Sequence, residues 1–172
     1  MRLYICRHGK AEADCPSGRD ADRQLTDRGI RQAAYLGRAL AELDHPPTRV
    51  LASPAKRAQE TASAIGSALS VTVETEDLLR VDRGASAILE LVERLEASLD
   101  LSDGPTAPVI ALVGHNPDLS TLASMLLFGS PGGVELRTGH CVGLNVAPIS
   151  RGGTAGTLVG SGRGQVAYRL EE

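Results

Sequence analysis

Tryptophan is absent from this chain, and aromatic residues make up only 2% of it: Phe128, Tyr4, Tyr35 and Tyr168. So few rings cannot build a platform on which bases stack, which argues against single-stranded nucleic acid as a partner and leaves the core to aliphatic residues. An excess of charge of one sign is missing too. With 18 Lys and Arg against 21 Asp and Glu, the formal net charge is −3. No general basic field attracts nucleic acid or an anionic membrane, so any cationic site must be local. The cysteines are few, Cys6, Cys15 and Cys141, widely spaced and without a CxxC pair. They suggest neither a disulfide framework nor a zinc site, and point to a reducing, cytoplasmic setting. Long hydrophobic runs are also lacking. The opening MRLYIC breaks at Arg7, before a signal-peptide core would be complete, and nothing approaches the roughly 18 apolar residues of a membrane span. The expectation is a soluble chain that begins its fold at once, long enough at 172 residues to bury a core without metal or disulfide.

What is present alternates. The apolar run Leu3 to Cys6 predicts a buried strand, and a polar stretch follows over residues 10–24. Thr26 is a good N-cap for a helix whose apolar face is read as Ile30, Ala33, Ala34, Gly37, Leu40 and Ala41. Arg49 to Ala52 reads as a second strand, and Ser53-Pro54 as the cap and first residue of a second helix. Val71 to Val73 is a brief strand and Glu74 to Gly84 irregular. Ala85 to Leu99 carries Ile88, Leu91, Val92, Leu95 and Leu99 at helical spacing. Pro108 to Val113 is apolar throughout, as a parallel strand buried on both faces would be. Gly114-His115-Asn116-Pro117 ends it before DLSTLASMLLFG resumes helical spacing. Val142 to Val146, Thr157 to Val159 and Val166 to Leu170 read as closing strands between Gly-rich turns.

Strands alternating with helices predict an α/β three-layer sandwich with a mainly parallel central sheet, whose ligands bind beyond the carboxyl ends of the strands. Arg7-His8, Ser53 to Arg57 and His115 each lie just past such an end, so they are expected to meet in one crevice. Arg and His without adjacent carboxylates make a poor metal site but a good cage for a phosphoryl dianion. Arginine offers a permanently charged planar fork, and a neutral imidazole can attack phosphorus. Surrounding cations keep that imidazole unprotonated and neutralise charge as it develops.

These residues resemble a known family. Arg7-His8-Gly9 after the first strand, Ser53-Pro54-Ala55-Lys56-Arg57-Ala58-Gln59-Glu60-Thr61, and Gly114-His115-Asn116-Pro117 resemble the histidine phosphatase superfamily, the phosphoglycerate mutase-like fold. The short chain, Arg23-Gln24-Leu25-Thr26 and the GHNP form look most like its SixA-type subgroup, phosphohistidine phosphatases of phosphotransfer signalling. The likeness covers most of residues 1–147. It implies one histidine phosphatase domain over 1–172. In it His8 would be the catalytic nucleophile, with Arg7, Arg57 and His115 on the phosphoryl oxygens. Arg23 would complete the pocket, and Gly9 would keep the turn small and fix the His8 ring through its backbone. No metal or other cofactor is implied. The partner would be a phosphorylated protein, a histidine phosphotransfer domain, or a small phosphorylated molecule, with no nucleic acid and no membrane.

Plainer readings stand beside these. Arg23 can equally be surface charge, and His115 could cap the following helix, although Asn116 can serve there. The larger members of the superfamily protonate an alcohol leaving group with an acid from the region after the third strand. Here Asp82 is the candidate, and it also reads as a loop carboxylate. Without a well-placed acid, P–N bonds would be favoured over ordinary esters. Broad small-molecule phosphatase activity, or a phosphoprotein-binding module without turnover, are the alternatives. His45 reads as a surface residue, His140 as a turn residue that could reach the pocket rim, and Cys6 as a small core residue. Gly160 to Gly164 lacks the Gly-Lys-Ser/Thr ending of a phosphate loop and reads as a hairpin turn, and Arg151-Gly152-Gly153 as an isolated RGG unit of no weight.

Overall fold

The first strand, β1 (Arg2–Arg7), sends Leu3 and Ile5 to one face of the sheet and Tyr4 and Cys6 to the other, and all four are buried. Such two-sided burial needs a layer of helices on each face. The structure, a computed structural model, describes residues 1–98, 108–146 and 156–158. Its elements run β1, α1 (Asp27–Ala41), β2 (Arg49–Ala52), α2 (Lys56–Leu69), β3 (Val73–Thr75), α3 (Ala85–Ala97), β4 (Val109–Gly114), α4 (Asp118–Phe128), β5 (Cys141–Val146) and β6 (Gly156–Leu158). The sheet order is β3-β2-β4-β1-β5-β6. The first four strands in that order are mutually parallel, and β5 and β6 add antiparallel pairs. This is the expected α/β sandwich with a mainly parallel sheet. Leu36, Leu40, Ala58, Ala62 and Ile65 of α1 and α2 cover Tyr4, Cys6, Val50 and Val113, while Ile88, Leu91, Leu119 and Leu122 of α3 and α4 cover Leu3, Ile5, Ile110 and Leu112. No helix among the described residues is long and apolar enough to cross a membrane.

Register decides where the ligating loops emerge. Arg7 pairs with Gly114, and both Cys6 and Ala52 pair with Val113. The carboxyl ends of β1, β2 and β4 therefore form one row across the sheet. The ladder continues one residue further, with His8 N–H donating to the Gly114 carbonyl (3.1 Å) and Ser53 N–H to that of Val113 (3.0 Å).

Local signals placed the elements well and their ends less well. Thr26 caps α1 as expected, its Oγ1 accepting from Gly29 N–H at 3.1 Å, a bond worth about 1 kcal/mol. The buried face of α1, however, is Gly29, Gln32, Ala33, Leu36, Gly37 and Leu40, and Ile30 is 56% exposed. The rotation follows from Gly29, which packs against the backbone of Lys10 with no room for a side chain. Ser53 and Pro54 do not start α2, whose cap position is Ala55. The Ser53 hydroxyl is instead taken up by His115 and by Ala55 N–H. Asn116 does not cap α4; its amide donates to the Leu136 carbonyl (2.7 Å) and accepts from Ser120 Oγ (3.0 Å). The third strand lies two residues beyond the expected one, at Val73–Thr75. The segment read as irregular after it holds a 3₁₀ turn at Asp77–Leu79. The strand expected at Val166 to Leu170, the Gly160 to Gly164 turn and Arg151-Gly152-Gly153 lie outside the described residues.

Candidate active site

His8 follows β1 directly. Its Nδ1–H donates to the carbonyl of Gly9 at 2.7 Å, because a carbonyl oxygen can only accept. The second ring nitrogen, Nε2, therefore carries the lone pair. The Gly9 N–H donates to Thr61 Oγ1 (3.1 Å), which in turn donates to the Arg57 carbonyl (2.7 Å). A Cβ on Gly9 would sit 2.5 Å from the Gly29 carbonyl oxygen. Gly9→Ala is accordingly expected to displace the loop that fixes His8, costing about 1–3 kcal/mol of stability in denaturant titration together with much of the activity.

The row of strand ends brings the other side chains in. His115, just past β4, lies with its ring 5.0 Å from that of His8, tilted by 58°. Its Nε2 is 2.9 Å from Ser53 Oγ, and its buried Nδ1 has no hydrogen-bond partner among the described residues. Arg7 donates through Nη1 to the Leu136 carbonyl (3.0 Å), and its buried Nε likewise has no partner among the described residues. Arg57, in the first turn of α2, is almost wholly buried and gives both terminal nitrogens to Asp20. Nη1 donates to the Asp20 carbonyl oxygen (2.6 Å) and Nη2 to its carboxylate (2.8 Å). Arg23 donates to the other Asp20 carboxylate oxygen at 2.6 Å and to the Glu12 carbonyl at 2.7 Å.

The environment holds both imidazoles neutral. Burial pushes His8 down to about 4; the Gly9 bond works the other way, and Arg57, Arg7 and Arg23 lower it further. His115 is pushed down to about 3, by burial first and then by His8 and Arg57. Arg23 thus acts on His8 electrostatically from the pocket edge. Asp20 is held below the usual carboxylate range by its hydrogen bonds from Arg23 and Arg57. Because both histidines titrate below their ordinary 6.5, the unfolded chain takes up protons that the folded protein refuses. Stability is whole above about pH 6.5 and is lost as pH falls toward 4 and 3, at about 1.4 kcal/mol per pH unit for each histidine. Urea midpoints at pH 7.5 and 5.0 should show this loss, and replacing both rings by Gln should flatten it.

Other expected residues lie elsewhere. Asp82 is exposed and pairs with Arg80 at 3.4 Å, with no bond to the His8 cluster. His45 is exposed. His140 is buried beside β1, its carbonyl accepting from Arg7 N–H. Cys6 is a fully buried core residue whose sulfur lies 3.0 Å from that of Cys141 on the neighbouring strand. Asp20 and the side-chain role of Ser53 were not foreseen. The only trace of Asp20 in the sequence is an acidic residue three before Arg23 in a polar stretch. Among the described residues, no three His, Cys, Asp or Glu side chains gather so as to hold a metal ion.

An imidazole with a free lone pair, set among arginines beyond the ends of a parallel sheet, is an arrangement chemically suited to a phosphoryl group. The comparisons agree. The profile of the histidine phosphatase superfamily (branch 1) matches residues 3–85. An uncharacterized protein of Picosynechococcus sp. is 32% identical over 150 residues, which is 87% of this chain and 82% of that one. The fold matches the protein histidine phosphatase SixA complexed with tungstate, with a TM-score of 0.75 at 22% identity over 92% of this chain and 94% of that one. It also matches a mycobacterial glucosyl-3-phosphoglycerate phosphatase, with a TM-score of 0.68 at 20% identity over 84% and 90% of the two chains. The chain belongs to the histidine phosphatase superfamily, with the SixA fold, and is a phosphatase.

Proposed function

We propose that this protein hydrolyses phosphohistidine on a phosphotransfer protein, without a metal, through a phosphorylated His8. The observation that carries the reading is the state of His8: neutral, buried, and fixed by Gly9 with Nε2 left unprotonated. Arg7, Arg57 and His115 hold the phosphoryl oxygens, with Arg23 at the edge. The Nε2 lone pair attacks phosphorus as the bond to the substrate's imidazole breaks, and that ring, which enters already protonated on its other nitrogen, leaves as neutral imidazole. Water then attacks the phosphorus on His8, the P–N bond breaks, and orthophosphate is released while the lone pair returns to Nε2.

The substrate choice is supported by the acid. Asp20 is the carboxylate bonded to the arginines, and they keep it ionised, so it is a poor proton donor for an alkoxide. Asp82, the candidate from the sequence, points elsewhere. An imidazole is the easier leaving group, and SixA, whose fold this chain shares, is a protein histidine phosphatase. Small-molecule phosphate esters are the second reading, favoured by the likeness to the glucosyl-3-phosphoglycerate phosphatase.

The test is phosphate release in EDTA from a phosphorylated histidine phosphotransfer domain, compared with a panel of sugar and nucleotide phosphates. Faster release from the phosphoprotein, undiminished by chelator, is expected. Preferential turnover of the small esters would move the substrate to that class, loss in EDTA would overturn metal independence, and binding without turnover would indicate a phosphoprotein-binding module.

A further inference from the structure

We infer that Ser53 is a positioning residue that fixes the tautomer of His115, placing its proton on Nδ1 so that a neutral ring donates a hydrogen bond to the phosphoryl group. This deepens the proposed phosphatase reading and rests on it.

The argument is one of satisfiability. Ser53 is fully buried, and its hydroxyl has two partners among the described residues, Ala55 N–H at 3.3 Å and His115 Nε2 at 2.9 Å. The amide can only donate, so it uses a lone pair of the oxygen. The hydroxyl's single proton then has one acceptor within reach, Nε2. If Nε2 carried the ring proton instead, the oxygen would accept twice and its own proton would be buried without an acceptor, a cost of about 1–3 kcal/mol. The hydroxyl therefore donates, Nε2 accepts, and a neutral ring must carry its proton on Nδ1.

Nδ1 is also the ring nitrogen that is buried without a partner among the described residues, on a ring 5.0 Å from that of His8. As a donor, Nδ1–H suits a phosphoryl oxygen; as a lone pair it would repel one. Protonating the ring fully would provide a donor as well, but burial and the neighbouring cations oppose that. The backbone makes the geometry dependable. Ser53 N–H is bonded to the Val113 carbonyl, two residues before His115, so both side chains rise from adjacent parallel strands.

The experiment is ¹⁵N NMR of the histidine ring nitrogens in the intact protein at pH 7, with and without inorganic phosphate. Wild type should show His115 protonated at Nδ1 and unprotonated at Nε2, and the Nδ1–H resonance should move when phosphate is added. Ser53→Ala should populate the opposite tautomer and lower kcat/KM about tenfold. Ser53→Thr, which keeps the hydroxyl, should restore both. An Nε2–H tautomer in wild type, an unmoved resonance with phosphate, or an unchanged tautomer in Ser53→Ala would overturn the inference. The wild-type spectrum decides even if Ser53→Ala does not fold. A wild type with the Nδ1–H tautomer but no phosphatase turnover would locate the failure in the proposed function rather than in Ser53.

Discussion

His8→Ala is expected to abolish phosphate release, by on the order of 10⁴-fold or more, because no other side chain of the site, among the described residues, offers an unprotonated ring nitrogen to phosphorus. His115 does not substitute, since its Nε2 faces Ser53. The variant should still fold, as His8 is 8% exposed at the end of β1 and the loop beyond it is held independently through Gly9 and Thr61. Inorganic phosphate should still bind within a few-fold of wild type, because the arginines remain. Quenching the wild type during turnover of ³²P-labelled phosphoprotein should trap acid-labile, base-stable label on His8. Label elsewhere, or residual turnover above a per cent in His8→Ala, would refute the nucleophile. Undiminished binding of the phosphoprotein by a wild type without turnover would make the protein a binding module.

The second large effect is at Arg57. Removing it takes away a buried cation with two terminal nitrogens directed at the site's edge and leaves Asp20 with one arginine instead of two. Charge-assisted hydrogen bonds contribute about 1.5–3 kcal/mol each. Arg57→Ala should therefore weaken phosphate or tungstate binding about 10²-fold and lower kcat/KM by at least as much. Arg57→Lys should recover little, because a point charge on a flexible stem cannot serve the Asp20 carbonyl, its carboxylate and a phosphoryl oxygen together. Calorimetric titration with tungstate measures the binding loss directly. An Arg57→Ala protein that binds tungstate as wild type does would place this arginine outside the phosphoryl cage and leave it a partner of Asp20 only. The His8 titration should also move upward in this variant, since Arg57 is the largest of the charge influences that lower it, after burial itself.

Much of this was legible in the chain because the signals are local. An apolar run bounded by Arg7-His8-Gly9 reads as a strand ending in a polar turn whatever else surrounds it, and β1, β2 and β4 lie where such runs predict them. The period of α3, with Ile88, Leu91, Val92 and Leu95 inward, is likewise set by helix geometry alone. The face of α1 was not legible. Its small and apolar residues satisfy two neighbouring stripes, and the close packing of Gly29 on Lys10, nineteen positions away in the chain, chooses between them.

The sequence by itself determined the alternation of strands and helices, the three strand ends that carry Arg7-His8, Ser53 and His115, and the resemblance that follows from them. Only the tertiary structure decided what those side chains do to one another. Ser53 reads locally as a helix cap, yet its hydroxyl bonds a histidine 62 positions away, and Asp20 reads as one more charge in a polar loop, yet it clamps an arginine 37 positions away. The physical reason is that a side-chain hydroxyl or carboxylate satisfies whichever partner is nearest in space. The register of β2 against β4 brings Ser53 and His115 within reach, and the fold of the loop after β1 onto the start of α2 does the same for Asp20 and Arg57.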